Sequence, residues 1–148
     1  MKKILLISAF LLTTGLSYSQ LNVVETSPKE EIGKVKVLFD TYMESYKRGE
    51  DYTILYKDME YQQLDEFKSF SMNEQTFNEL YDLIIESWDN PPKEDIMIEL
   101  PESFIWLKFT RMLGATNFQF VHDPLKNGEI FGLSTPLNKK KVDKLFGK

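Results

Sequence analysis

The chain has 148 residues, with twenty-three acidic and eighteen basic side chains, one His and no Cys. The absence of thiols excludes disulfides, cysteine nucleophiles, cysteine zinc sites and a lipoprotein anchor, and a single imidazole excludes any centre that needs two or three. Eleven Phe, seven Tyr and two Trp are the composition of a chain that buries a core, not of a disordered one.

Lys2 and Lys3 precede an apolar run of thirteen residues, Ile4 to Leu16. Crossing a hydrocarbon core takes roughly 20 residues, so the run is too short to span and fits the centre of a secretory signal. Ser17-Tyr18-Ser19 puts small residues where signal peptidase needs them, which predicts cleavage after Ser19. This leader resembles those of Bacteroidota-type bacteria, which often end in a small residue followed by Gln, here Gln20. The resemblance covers the targeting segment alone and implies no activity. The expected organisation is a cleaved signal peptide over 1–19, an extended lead-in and linker over 20–33, and a single domain over 34–148. The expected location is the periplasm or the cell exterior, with no stable membrane anchor after cleavage.

Without the leader the chain keeps sixteen bases against twenty-three acids, a net charge of −7. From Glu25 to Glu102 twenty acids face eight bases, and from Ser103 to Lys148 eight bases face three acids. The simplest reading is mutual neutralisation across the fold. A net-acidic exported chain is a poor nucleic-acid binder, since that binding rests on phosphate neutralisation.

Val35, Leu38, Phe39, Tyr42, Met43 and Tyr46 fall at helical spacing, and Lys47-Arg48-Gly49 would end a helix. The same stretch is rich in Val, Thr and Tyr, and Arg48-Gly49-Glu50-Asp51 reads as a hairpin loop between two strand-length runs. Residues 34–48 are therefore read as strand, with helix as the open alternative. Leu64 to Met72 reads as another strand. Phe77, Leu80, Tyr81, Ile84 and Trp88 then form one helical stripe, giving an amphipathic helix over about 73–89. Ser71 with Glu74 makes a capping-box pattern, Asn73 is the rival cap, and Pro91-Pro92 stops the helix.

Asp95 to Leu100 alternates, and Phe104 to Leu113 is long and apolar, as a central strand would be. Asn117 to His122 and Glu129 to Ser134 read as strands around a turn at Asn127-Gly128. A short C-terminal helix carries Val142, Leu145 and Phe146, starting at Thr135 or Asn138. A start at Asn138 puts Lys139, Lys140 and Lys141 at the positive end of the helix dipole, which costs a few tenths of a kcal/mol or more and hints that the lysines serve something besides stability. The fold class is α+β, mainly antiparallel sheet with one central helix and a short C-terminal one.

No nucleotide-binding glycine loop, nucleophile elbow or calcium loop is present, so no cofactor or metal is expected. His122-Asp123 would need a serine such as Ser103 or Ser134 to make a hydrolytic triad, and a hydrogen-bonded strand-end His is the plainer reading. Asp58, Glu60, Asp65 and Glu66 cluster, and paired carboxylates cleave glycosidic bonds; a solvated loop is the plain alternative. Tyr42, Tyr46, Tyr52 and Tyr56 suit a recognition surface, or else simply line a sheet. Trp88 and Trp106 read as core, and Arg111 needs an acidic partner if buried.

The leading expectation is a non-enzymatic exported binding domain of the bacterial cell envelope. Tyr42, Tyr46, Tyr52, Tyr56, Lys139, Lys140, Lys141 and Lys144 are its candidate contacts, and an envelope protein or glycan its partner. The alternatives are a small glycan hydrolase with paired carboxylates and a secreted inhibitor inserting the loop Asp123 to Gly128.

Overall fold

The computed structural model describes residues 27–61, 64–129 and 131–148. The expected signal peptide and the first part of the lead-in lie outside the described residues.

Four strands, β1 (Lys29–Val37), β2 (Asp40–Arg48), β3 (Asp51–Lys57) and β4 (Phe67–Met72), form the first sheet in the order of the chain. A helix, α1 (Glu74–Glu86), leads to a second sheet of β5 (Ile96–Glu99), β6 (Phe104–Met112), β7 (Ala115–Asp123) and β8 (Gly132–Leu133), again in chain order, and α2 (Lys139–Leu145) closes the chain. All the pairings are antiparallel. The architecture is mixed α+β, mainly sheet.

Within 34–48, residues 34–37 and 40–48 are strand, and so is part of the segment expected as linker: β1 begins at Lys29, paired with Arg48. Val37 pairs with Asp40, so Leu38-Phe39 is a two-residue turn. Arg48 pairs with Asp51, which makes Gly49-Glu50 the loop of the expected second hairpin. Asn73, not Ser71, caps α1: its side chain accepts from the Thr76 N–H at 2.8 Å. Asn138 caps α2 in the same way through Lys141. The segment before β4 and the one around β8 pair over shorter spans than their sequence suggests. Asp58, Met59 and Glu66 spend their backbone groups on turn and inter-sheet bonds, Met59 N–H donating to the Leu133 carbonyl at 2.8 Å.

The core fills the space between the sheets. Val35, Met43, Ile54, Tyr56, Phe70 and Met72 point inward from the first sheet, and Ile105, Leu107, Phe118 and Phe120 from the second. Phe70 meets Phe120 at 5.1 Å between ring centroids. The helices complete the core. Phe77 of α1 stacks on Tyr52 at 5.0 Å and on Phe146 at 4.7 Å, and Trp88 packs edge-on to Phe109. α2 lies against β1 so tightly that a Cβ at Gly33 would fall 2.1 Å from the Lys144 carbonyl oxygen. The Ser45 hydroxyl donates to the Leu145 carbonyl, which satisfies one of the open acceptors at the helix end. Among the described residues no helix is long and apolar enough to cross a membrane.

Candidate functional site

The tyrosines expected to form one surface divide between two faces. Strand residues alternate sides, and the register sets Met43 opposite Tyr56 and Tyr46 opposite Thr53. Tyr42 and Tyr46 therefore share the outer face of the first sheet, while Tyr52 and Tyr56 face the core. Tyr56 is fully buried and Tyr52 packs against Phe77, so neither belongs to an open recognition row. The outer face of the first sheet is charged and polar, with Glu44 and Thr53 buried within it. Glu44 pairs with Lys29 at 2.7 Å, and Lys29 lies over the Tyr46 ring at 4.3 Å. Thr53 and Ser71 share a hydrogen bond of 2.8 Å.

Burial of Tyr56 creates a polar cluster at the seam between the sheets. Its hydroxyl lies 2.9 Å from Nδ1 of His122, and both residues are buried. Burial and the carboxylates of Asp58 and Glu66 raise the Tyr56 phenol far above its ordinary range, so it keeps its proton in this hydrogen bond. The other ring nitrogen of His122, Nε2, is buried and has no partner among the described residues. Burial, helped by the Lys68 ammonium, pushes His122 down to about 4. Gly132 permits this arrangement, because a Cβ there would fall 2.1 Å from the Tyr56 hydroxyl.

Beside the pair, Asp58 is buried against Lys68, with Nζ 2.6 Å from Oδ2. Its Oδ1 accepts from the N–H groups of Glu60 at 3.0 Å and Leu133 at 3.1 Å. Burial works against the Asp58 charge, but Lys68 and these donors outweigh it and hold the carboxyl below its usual range. A carboxyl so held carries no proton to deliver near neutrality. Asp65 pairs with Lys57 at 2.6 Å and is likewise lowered by it. Glu66 turns to Lys68 at 3.8 Å. Both carboxylates thus face a cation rather than an open cleft. The Ser134 hydroxyl accepts from Phe120 N–H and bonds the Thr135 carbonyl, so it too has a structural task. Asp123 braces the loop after β7, accepting from Leu125 N–H at 3.1 Å and Gly128 N–H at 2.8 Å.

The outer face of the second sheet is the surface the sequence reading missed. Register puts Met97 opposite Trp106, Trp106 opposite Val121 and Val121 opposite Leu133. These four side chains make an apolar row across all four strands on the side away from the core. Met97 is 52% exposed, and Trp106, Val121 and Leu133 are half-buried. Trp106 is therefore not a core residue. Phe104 and Phe131 flank it at 6.3 and 5.8 Å. At the rim Lys126 lies over Phe104 and pairs with Glu99 at 3.0 Å. The signal was present in Phe104-Ile105-Trp106-Leu107, since a strand apolar at consecutive positions is apolar on both faces.

The expected lysines lie on α2. Lys139 and Lys140 line an open hollow of about 460 Å3 together with Trp88, Asp89, Arg111 and Gly114. Lys144 faces a second hollow beside Gly33 and Lys34. Lys141 is half-buried, and its N–H is the one that Asn138 caps. Arg111 is exposed, so no buried partner is required. No protein-family model and no curated protein matches this chain.

Proposed function

We propose that this chain is an exported interaction domain that binds a protein partner through the outer face of its second sheet. The observation that carries the reading is the row Met97, Trp106, Val121 and Leu133. An outer sheet face ordinarily alternates to polar residues, as the first sheet does. An apolar, aromatic-centred patch with a charged rim is the anatomy of a protein interface. The aliphatic side chains of Met97, Val121 and Leu133 around Trp106 favour a protein over a glycan, since a glycan needs hydrogen-bonding groups around the aromatic rings. Export is read from the leader, and the envelope as the place of action follows from it.

The test is cross-linking capture from envelope extract with wild type and with Trp106→Gln. The expected result is one saturable partner whose cross-links map to β5–β8, with affinity reduced about a hundredfold in the variant, as for a central aromatic anchor. Trp106 is half-exposed, so the variant keeps its fold by circular dichroism. Binding that is unchanged in Trp106→Gln, or that maps to the first sheet, overturns the reading. Retention on cell-wall glycan without a protein partner replaces it with the glycan alternative.

A further inference from the structure

The turn between β6 and β7 is Leu113-Gly114, closed by the pair Met112 and Ala115. Leu113 is fully exposed with φ +51°, and Met112 is 69% exposed. The first position of such a turn is ordinarily Asn, Asp or Gly. A leucine there serves neither the turn nor a core. Immediately beside this tip lies the hollow lined by Arg111, Gly114, Lys139 and Lys140, in which Asp89 is the one acidic lining residue. None of these three cations forms an ion pair among the described residues. The other exposed tip, Leu38-Phe39, differs in its surroundings: Asp40 follows it directly, and the hollow on its strand, lined by Lys34, Lys36 and Lys144, also holds Glu31, which pairs with Lys34.

We propose that the β6–β7 tip is a peripheral contact for an anionic bilayer. Met112 and Leu113 enter the acyl boundary, and Arg111, Lys139 and Lys140 meet the phosphates of the lipid headgroups. One signal gives only marginal membrane binding, and firmer attachment combines two, here a small apolar insertion and a basic cluster. Here both come from one end of the fold, on different elements. Apolar side chains beyond the cations are what distinguish a bilayer from a soluble polyanion, which would use the charges alone. The site lies on other residues than the apolar row of the second sheet, so the two readings stand or fall separately.

The test is flotation of protein expressed from the full chain. The vesicles contain equal parts phosphatidylcholine and phosphatidylglycerol, or phosphatidylcholine alone. Any contribution of the N-terminal apolar run is common to all variants measured side by side. The wild type is expected to float with the anionic vesicles and to be released by high salt. Leu113→Asn, which suits the turn better than leucine, and the pair Lys139→Glu with Lys140→Glu should each weaken binding about tenfold or more. Leu38→Asn should leave it unchanged. A Met112→Trp variant reports insertion directly, by blue-shifted emission that acyl-brominated lipid quenches. The proposal is overturned if Leu113→Asn binds as the wild type does, or if Met112→Trp shows no quenching. It is equally overturned if soluble polyphosphate competes fully and binds independently of Leu113.

Discussion

His122 shows how a single residue is governed by what surrounds it. Its ring is flanked by Tyr56, Phe70, Asp58, Lys68 and Asp123, and burial with the Lys68 charge sets its pKa at about 4. In the unfolded chain it titrates near 6.5. Between the two values the unfolded state binds more protons, so stability rises with pH across that window and falls as the protein is acidified through it. The full effect is roughly 3 kcal/mol. Asp58 and Asp123, held low in the fold, act in the same direction at still lower pH. Urea unfolding of the wild type from pH 4 to pH 7 should show this slope, and His122→Phe should flatten it. An equal slope in the variant would assign the effect to other groups. Sequence made His122 visible as a strand-end imidazole. It could not show Tyr56, which is 66 residues away along the chain.

At the scale of elements, the hairpin of β1 and β2 explains why residues 34–48 imitate a helix. Val35 and Met43 are inward strand residues facing each other across the pair, and Leu38 and Phe39 are the turn between them. The turn resets the alternation, and the sum of the two strands looks like a period near four. Leu38 adopts φ +57° and is 90% exposed. A left-handed leucine costs about 1 kcal/mol relative to residues that favour this region, and no buried area compensates. Leu38→Asn should therefore raise stability by a few tenths to about 1 kcal/mol, measured as a shift in the denaturation midpoint. A destabilised variant would mean that the Leu38 side chain has a packing partner. The helices were more legible. The apolar stripe of α1 and its Asn73 cap are local, because a cap needs only the N–H three residues on.

At the scale of the whole molecule, two separate sheets and both helices share one core. Phe120 sits at the junction, 5.1 Å from Phe70 on the other sheet and 4.7 Å from Phe118 on its own strand. Phe120→Ala should cost about 3–5 kcal/mol. Unfolding should be a single transition in which tryptophan fluorescence and far-ultraviolet circular dichroism coincide. Two transitions would show that the sheets unfold independently.

The sequence by itself determined the absence of thiol chemistry, the strand-rich α+β class, and α1, which the structure ends at Glu86, ahead of Pro91-Pro92; it offered the hairpin at Gly49-Glu50 beside a helical alternative. These depend on residue type, on spacing and on neighbours a few positions apart. Only the tertiary structure decided that Tyr56 is buried while Tyr42 and Tyr46 stay outside, that Trp106 leaves the core, and that Asp58 gives its charge to Lys68. The physical reason lies in the strand period of two. It says which side chains share a face, but not which face another layer will cover. For Asp95 to Leu113 both faces are apolar, so the choice fell to what packs there, namely α1 and the first sheet on one side. The row left on the other side is the surface that the proposed function rests on.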